Sequence, residues 1–229
     1  MIPPRLQTPD TAKRLRLIAL AQYELLGYEA ATADDIAAAA GVSRRSLFRY
    51  FPTLEDILFS DHHVEYLPLV AQYLWAGHGE PTHVAGRALG LVLDGLERDR
   101  DFVSRRARVV GQSSALKDRE KLWLGMYQSA VSGHLRAQSQ GPRDAMFAEI
   151  VAAALMAALS EVIERWLSGE GEENPQGLFS ELVDEIAESM FPPAPPVRTA
   201  SAPGETPNVI VIGSDLTAKE ITDLIEGAR

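Results

Sequence analysis

Arg44, Arg45 and Arg49 fall in one six-residue stretch, with Ser43, Ser46 and Tyr50 beside them. A guanidinium carries five N–H donors in a planar fork, so it can grip O6 and N7 of guanine with two hydrogen bonds. Hydroxyls and further arginines donate to phosphate oxygens, which fix register without reading sequence. No acidic residue occurs between Asp35 and Glu55. The chemistry these residues suit is recognition of duplex DNA. Arg44 and Arg45 are the candidates for base edges. Thr32, Ser43, Arg49 and Tyr50 are candidates for phosphates, and Ser46 completes the DNA-binding set.

Two short helices must present these side chains. Thr32 is placed to cap the first, and Asp35 three residues on completes a capping box. Asp34 and Asp35 also suit the positive end of a helix. Ile36, Ala37 and Ala40 give a small-residue inner face that lets another helix approach. Gly41 sits where a helix stops in a left-handed residue. Ser43 caps the second helix, which turns Leu47, Phe48 and Phe51 inward and ends before Pro52. A helix, a short glycine turn and a basic second helix are the parts of a helix-turn-helix. An ordinary helical hairpin with a solvated arginine face is the plainer reading of the same residues.

At these positions the chain resembles the TetR family of transcriptional regulators. The resemblance rests on Gly27-Tyr28, Thr32, Ile36-Ala37, Ala40-Gly41-Val42-Ser43 and Leu47-Phe48-Arg49-Tyr50-Phe51-Pro52, within about the first sixty residues. It implies an N-terminal DNA-binding head, a helical body that senses a ligand, and a dimer built on two C-terminal helices. Two departures stand out. Ala33 replaces a branched aliphatic residue, and Leu54 replaces a lysine that commonly touches a phosphate.

The charge is distributed to suit this reading. The chain of 229 residues carries a net charge of −10, yet residues 1–60 hold seven basic and seven acidic residues. The acidity therefore lies in the body. An acidic body behind a basic helix repels phosphates everywhere but the docking face, favouring oriented binding. There is no cysteine, which excludes disulfides, thiolate catalysis and cysteine-bound zinc. No nucleophile motif, phosphate-binding glycine loop or paired metal-spaced histidines appear, so an enzyme is not expected, and no cofactor or metal. Adjacent His62 and His63 point about 100° apart on a helix and cannot easily share an ion. No secretory signal or membrane-spanning stretch is evident, and a soluble cytoplasmic protein is expected.

The rest reads as helices. Residues 11–26 form the first, with Leu15, Ile18, Ala19, Tyr23 and Leu26 facing the core; Arg5, Arg14 and Arg16 are within reach of phosphates. A helix from 54 ends or kinks at Pro68. Residues 82–96 follow, where Gly86 and Gly90 suit a close helix crossing. A solvated mixed-charge turn at 97–101 precedes a helix over 102–110, whose Arg105, Arg106 and Arg108 read as ion-paired surface or, for one of them, an inward cation for an acidic ligand. Residues 115–137 carry Trp123, Met126, Tyr127 and His134 on one side. With Tyr66, Phe102 and Arg106 these form the candidate effector pocket, although they suit a plain core as well.

Residues 143–167 are apolar nearly all round and need cover on two sides. With 178–190 they suggest a homodimer through Leu155, Leu159, Ile163, Trp166, Leu182 and Ile186. The organisation expected is all-α: a head at 1–53, a ligand-binding and dimerisation body at 54–191, a proline-rich linker at 192–207, and a strand-plus-helix tail at 208–229. The function expected is a dimeric repressor released from a palindromic operator in double-stranded DNA by a small, largely apolar effector. The alternative is control by a partner protein through the tail.

Overall fold

The computed structural model describes residues 9–139, 141–169 and 174–190, and among them the regular structure is entirely helical. The helices are α1 (Pro9–Leu26), α2 (Ala33–Ala40), α3 (Arg44–Tyr50), α4 (Asp56–Ala76), α5 (Pro81–Arg98), α6 (Arg100–Gln112), α7 (Ser114–Ala137), α8 (Pro142–Ser168) and α9 (Pro175–Met190). Two compact units divide the chain, Met1–Ala187 and Glu188–Arg229. The linker at 192–207, the strand and helix expected at 208–229, and Arg5 lie outside the described residues.

The local signals around α2 and α3 act as their chemistry requires. The Thr32 hydroxyl accepts from the Asp35 amide at 3.2 Å, while the Thr32 amide donates to the Asp35 carboxylate at 2.9 Å. Gly41 ends α2 at φ 67°, ψ 31°, and the Val42 amide bonds back to the Ala37 carbonyl at 3.0 Å. The Ser46 amide donates to the Ser43 hydroxyl at 3.1 Å and starts α3. Leu15, Ala19 and Tyr23 of α1 close over Ile36, Ala37, Ala40 and Leu47. Ala33 is itself buried there, and Leu54 packs against the same core.

That core does not stop at the head. Ile57, Leu58 and Phe59 of α4 are fully buried in it, and so are Phe102, Val109 and Val110 of α6 and Leu116 of α7. In the body, α4 packs on α5 and α7, and α7 on α8. Gly86 lets α5 approach α9, since a Cβ there would lie 2.5 Å from the Val183 side chain. Gly90 meets only the Gln176 side chain, at the outer limit of a tight contact of 3.4 Å.

Three expectations are overturned, and one, that α4 ends or kinks at Pro68, is narrowed. Pro68 does not end α4, which continues to Ala76; the exposed ring removes one amide, and buried Tyr66, Val70 and Leu74 hold the turns on either side against α5 and α7. Leu26 is exposed because α1 overruns the core by a turn, and Leu20 is buried instead. The turn at 97–101 reduces to Asp99, whose amide bonds to Leu96 and whose carbonyl accepts from Val103, so one residue joins two helices. Finally, α8 is long and apolar enough, by length and composition, to cross a membrane. It buries eight residues from Ala148 to Trp166 within its own chain, as a core helix does.

Gly41 supplies a clean test of the turn. A Cβ there would meet nothing within 4 Å, so Gly41→Ala introduces left-handed backbone strain and no clash. The substitution should cost about 1–2 kcal/mol and lower the thermal midpoint in calorimetry. An unchanged midpoint would mean that the turn relaxes out of this geometry.

Candidate nucleic-acid interface and a buried cationic cluster

The seven residues of α3 divide by burial. Leu47 is buried and Phe48 half-buried, while Arg44, Arg45 and Arg49 stand exposed. The arginines have unequal freedom. Arg44 lies 3.4 Å from the Asp34 carboxylate and over the Phe48 ring. Both partners of that pair are well exposed, and such a pair contributes about 0–1 kcal/mol. A phosphate or guanine can displace it. Arg49 lies over Tyr50 at 5.5 Å, which stiffens it without neutralising it. Arg45 is in no ion pair or ring contact among the described residues. The hydroxyls are less free: Thr32 donates to Asp35 at 2.6 Å, and Ser43 bonds Ser46 at 3.0 Å. Thr32 therefore serves first as a cap.

Arg16, named above as a phosphate candidate, is instead buried, with its guanidinium 4.9 Å from the centre of the Phe102 ring. Position on α1 decides this, since Arg16 falls on the side that meets α6 and Arg14 on the exposed side. At Leu54 the backbone carbonyl accepts from the Tyr23 hydroxyl at 3.2 Å.

Polar links tie this head to the body. Arg105 of α6 grips Glu24 of α1 with two nitrogens, Nε at 3.0 Å and Nη2 at 2.6 Å, and Arg108 lies 3.7 Å from the same carboxylate. The hydrogen bond from Arg105 holds Glu24 below the ordinary glutamate value, against the opposing effect of burial; the charges of Arg105 and Arg108 add to it. Ser113 donates to Glu29 at 3.0 Å, and Arg119 of α7 reaches Asp56 at the start of α4 at 2.6 Å.

The candidate pocket residues separate into two places. Tyr66, Phe102, Arg106 and Tyr127 are buried, and Trp123 half-buried. His63 joins them: its ring stacks on Trp123 at 4.9 Å and on Phe59 at 6.0 Å, and its Nδ1 lies 3.3 Å from the Tyr127 hydroxyl. Arg106 is 7% exposed and sits over the Phe59 ring at 5.6 Å, while its Nε and Nη1 have no hydrogen-bond partner. Burial pushes its guanidinium below its ordinary value, Arg16 adds to that, and Glu120 opposes it. The indole Nε1 of Trp123 also lacks an acceptor. Burial raises the Tyr127 phenol far above its ordinary range; the charge of Arg106 opposes this and Tyr66 adds to it. His134 does not join this cluster. It lines a groove of about 430 Å³ with Leu74, Trp75 and Ala130, and Met126 is largely exposed. Among the described residues no three metal-ligating side chains converge.

Leu155, Leu159 and Trp166 are already covered by their own chain, whereas Ile163, Leu182 and Ile186 are half-buried. The outward stripe of α8 is Met146, Ile150, Ala153 and Ala157, with Ile150 half-exposed at 50%. Three of the six residues expected at a dimer face are thus covered within one copy.

Residues 19–60 match the family described as bacterial regulatory proteins, tetR family, and residues 80–193 match the one described as MftR C-terminal domain. No curated protein matches the chain. Among solved structures, a Syntrophomonas wolfei protein assigned to the TetR family superposes with a TM-score of 0.60 at 15% identity, over 80% of this chain and 96% of that one. The Bacillus subtilis regulator FadR, in complex with stearoyl-CoA, gives 0.55 at 14% identity over 76% and 96%. A transcriptional regulator from Aquifex aeolicus gives 0.53 at 16% identity over 79% and 99%. At these identities the likeness is one of fold.

The Glu24–Arg105 link makes a pH prediction. Glu24 has a depressed folded value, so its contribution is full above the ordinary glutamate value of about 4.3 and is lost as pH falls through the folded value. Glu24→Gln should therefore lower stability near neutral pH by about 1 kcal/mol or less and flatten the acid limb of the midpoint-against-pH curve. Parallel curves for the two proteins would show that the pair contributes nothing.

Proposed function

Since the chain belongs to the TetR family of bacterial transcriptional regulators, and is thus a DNA-binding regulator and no enzyme, we propose that it acts as a homodimeric repressor that a small, largely apolar effector releases from a palindromic operator. One observation carries the reading: α3 holds Arg45 and Arg49 exposed while Leu47 anchors it to the core. In that pose the helix can enter a major groove with its cations at base and phosphate level. The effector enters the reading through the ring-lined cluster of Phe59, His63, Phe102, Trp123 and Tyr127.

The mechanism is one of spacing. Two copies related by a twofold axis read half-sites about 34–36 Å apart, or a multiple of that. Ile163, Leu182, Ile186 and the exposed stripe of α8 supply the apolar face for the second copy. Phe59 belongs both to the ring cluster and to the core that carries α1 and α3. A ligand that fits the cluster only when α4 and α6 are repositioned moves the heads with them. It then favours the state whose heads miss the half-sites.

Arg45→Ala should weaken binding to the operator by about tenfold or more and relax base preference at one position, as expected for losing a contact worth about 1–3 kcal/mol. A gel-shift titration at fixed salt reads this. Undiminished binding would remove Arg45 from the interface.

A further inference from the structure

We infer that the effector of this regulator is an apolar carboxylic acid whose carboxylate takes Arg106 as its counter-ion. The inference rests on the proposed reading that the ring cluster receives the effector. Arginine cannot discharge by losing its proton at any physiological pH. A buried guanidinium must therefore find acceptors or stay uncompensated. The same helix shows what a structural arginine does: Arg105 has Glu24 at 2.6 and 3.0 Å. Across the body Arg119 has Asp56 at 2.6 Å. Arg106 has neither arrangement. Two of its nitrogens lack acceptors, the neighbouring guanidinium of Arg16 adds like charge, and Glu120 is the carboxylate that acts on it without bonding to it.

The surroundings set the ligand's class. Arg106 lies against Phe59, whose ring leads through His63 to Trp123 and Tyr127. The Trp123 indole is a second donor without an acceptor in that chain of rings. An anion supplies the acceptors that the two Arg106 nitrogens lack. The surrounding aromatic rings favour one charge on an apolar body over a hydrated dianion such as phosphate, because each added buried charge carries its own desolvation penalty. An aliphatic or aryl carboxylate meets both conditions.

The test uses the full-length protein without DNA. Decanoate and 2-naphthoate are titrated against their neutral amides, decanamide and 2-naphthamide, and against inorganic phosphate, by calorimetry and thermal shift. At least one acid should bind tenfold or more tighter than its amide, with a change in tryptophan fluorescence, and phosphate alone should not stabilise the protein. Arg106→Met should raise the ligand-free midpoint, because it removes an uncompensated charge, and should abolish the preference for acid over amide. Arg106→Lys keeps the charge and should keep the preference. Binding of neither acid, equal binding of acid and amide, equal stabilisation by phosphate, or a lower ligand-free midpoint for Arg106→Met would each overturn the inference. Should the methionine variant fail to fold, the inference is likewise overturned as to stability, and the acid-against-amide comparison on the unaltered protein still decides the ligand class. Operator binding is measured separately: its loss beside intact acid binding would reject the regulator reading alone, and the reverse would reject the ligand alone.

Discussion

Three consecutive side chains at the start of α4, Ile57, Leu58 and Phe59, are wholly buried in a core shared by α1, α2, α3, α6 and α7. Everything else depends on that continuity. Close-packed interiors transmit displacement because side chains have few alternative arrangements. Here the helix that reads DNA and the helices that border the buried cluster rest on the same side chains. The head is therefore not a module on a flexible tether, and its position is a property of the body.

Polar contacts run along the same seam. Arg105 with Glu24 joins α6 to α1, Ser113 with Glu29 joins the α6–α7 junction to the loop between α1 and α2, and Arg119 with Asp56 joins α7 to α4. These pairs add direction to an apolar contact that has little of its own. Arg106 breaks the pattern, as the buried cation on α6 that the chain itself leaves without acceptors at two nitrogens. Buried charges perturbed by desolvation are enriched at functional sites.

The helix-turn-helix was legible because its signals are local. Thr32, Asp35, Gly41 and Ser43 act on amides within a few residues, and those rules hold without knowledge of the tertiary fold. The inward turn of Arg16 and Arg106 was not legible to the same degree. Arginine on an amphipathic helix looks alike from sequence whether it faces water or an aromatic ring. His134 and Trp123 share a helix face, yet eleven residues separate them by about 16 Å along the axis, so a single face served two different places. For α8, apolar residues all round left no polar side to mark which face looks outward, and Leu155 and Leu159 went to the inside. Pro68 shows that packing on both sides can carry a helix through a residue that would end it in isolation.

The spacing of the two heads is the quantity on which the proposal turns. The chain has no cysteine, so a single Ala38→Cys on the exposed face of α2 gives one spin label per subunit. Double electron–electron resonance on the labelled protein then measures the distance between heads directly. With operator DNA the account predicts one narrow distance compatible with adjacent major grooves, and with an effector acid a different distance at which DNA is released. No dipolar coupling, or a distribution unmoved by either DNA or acid, would contradict it.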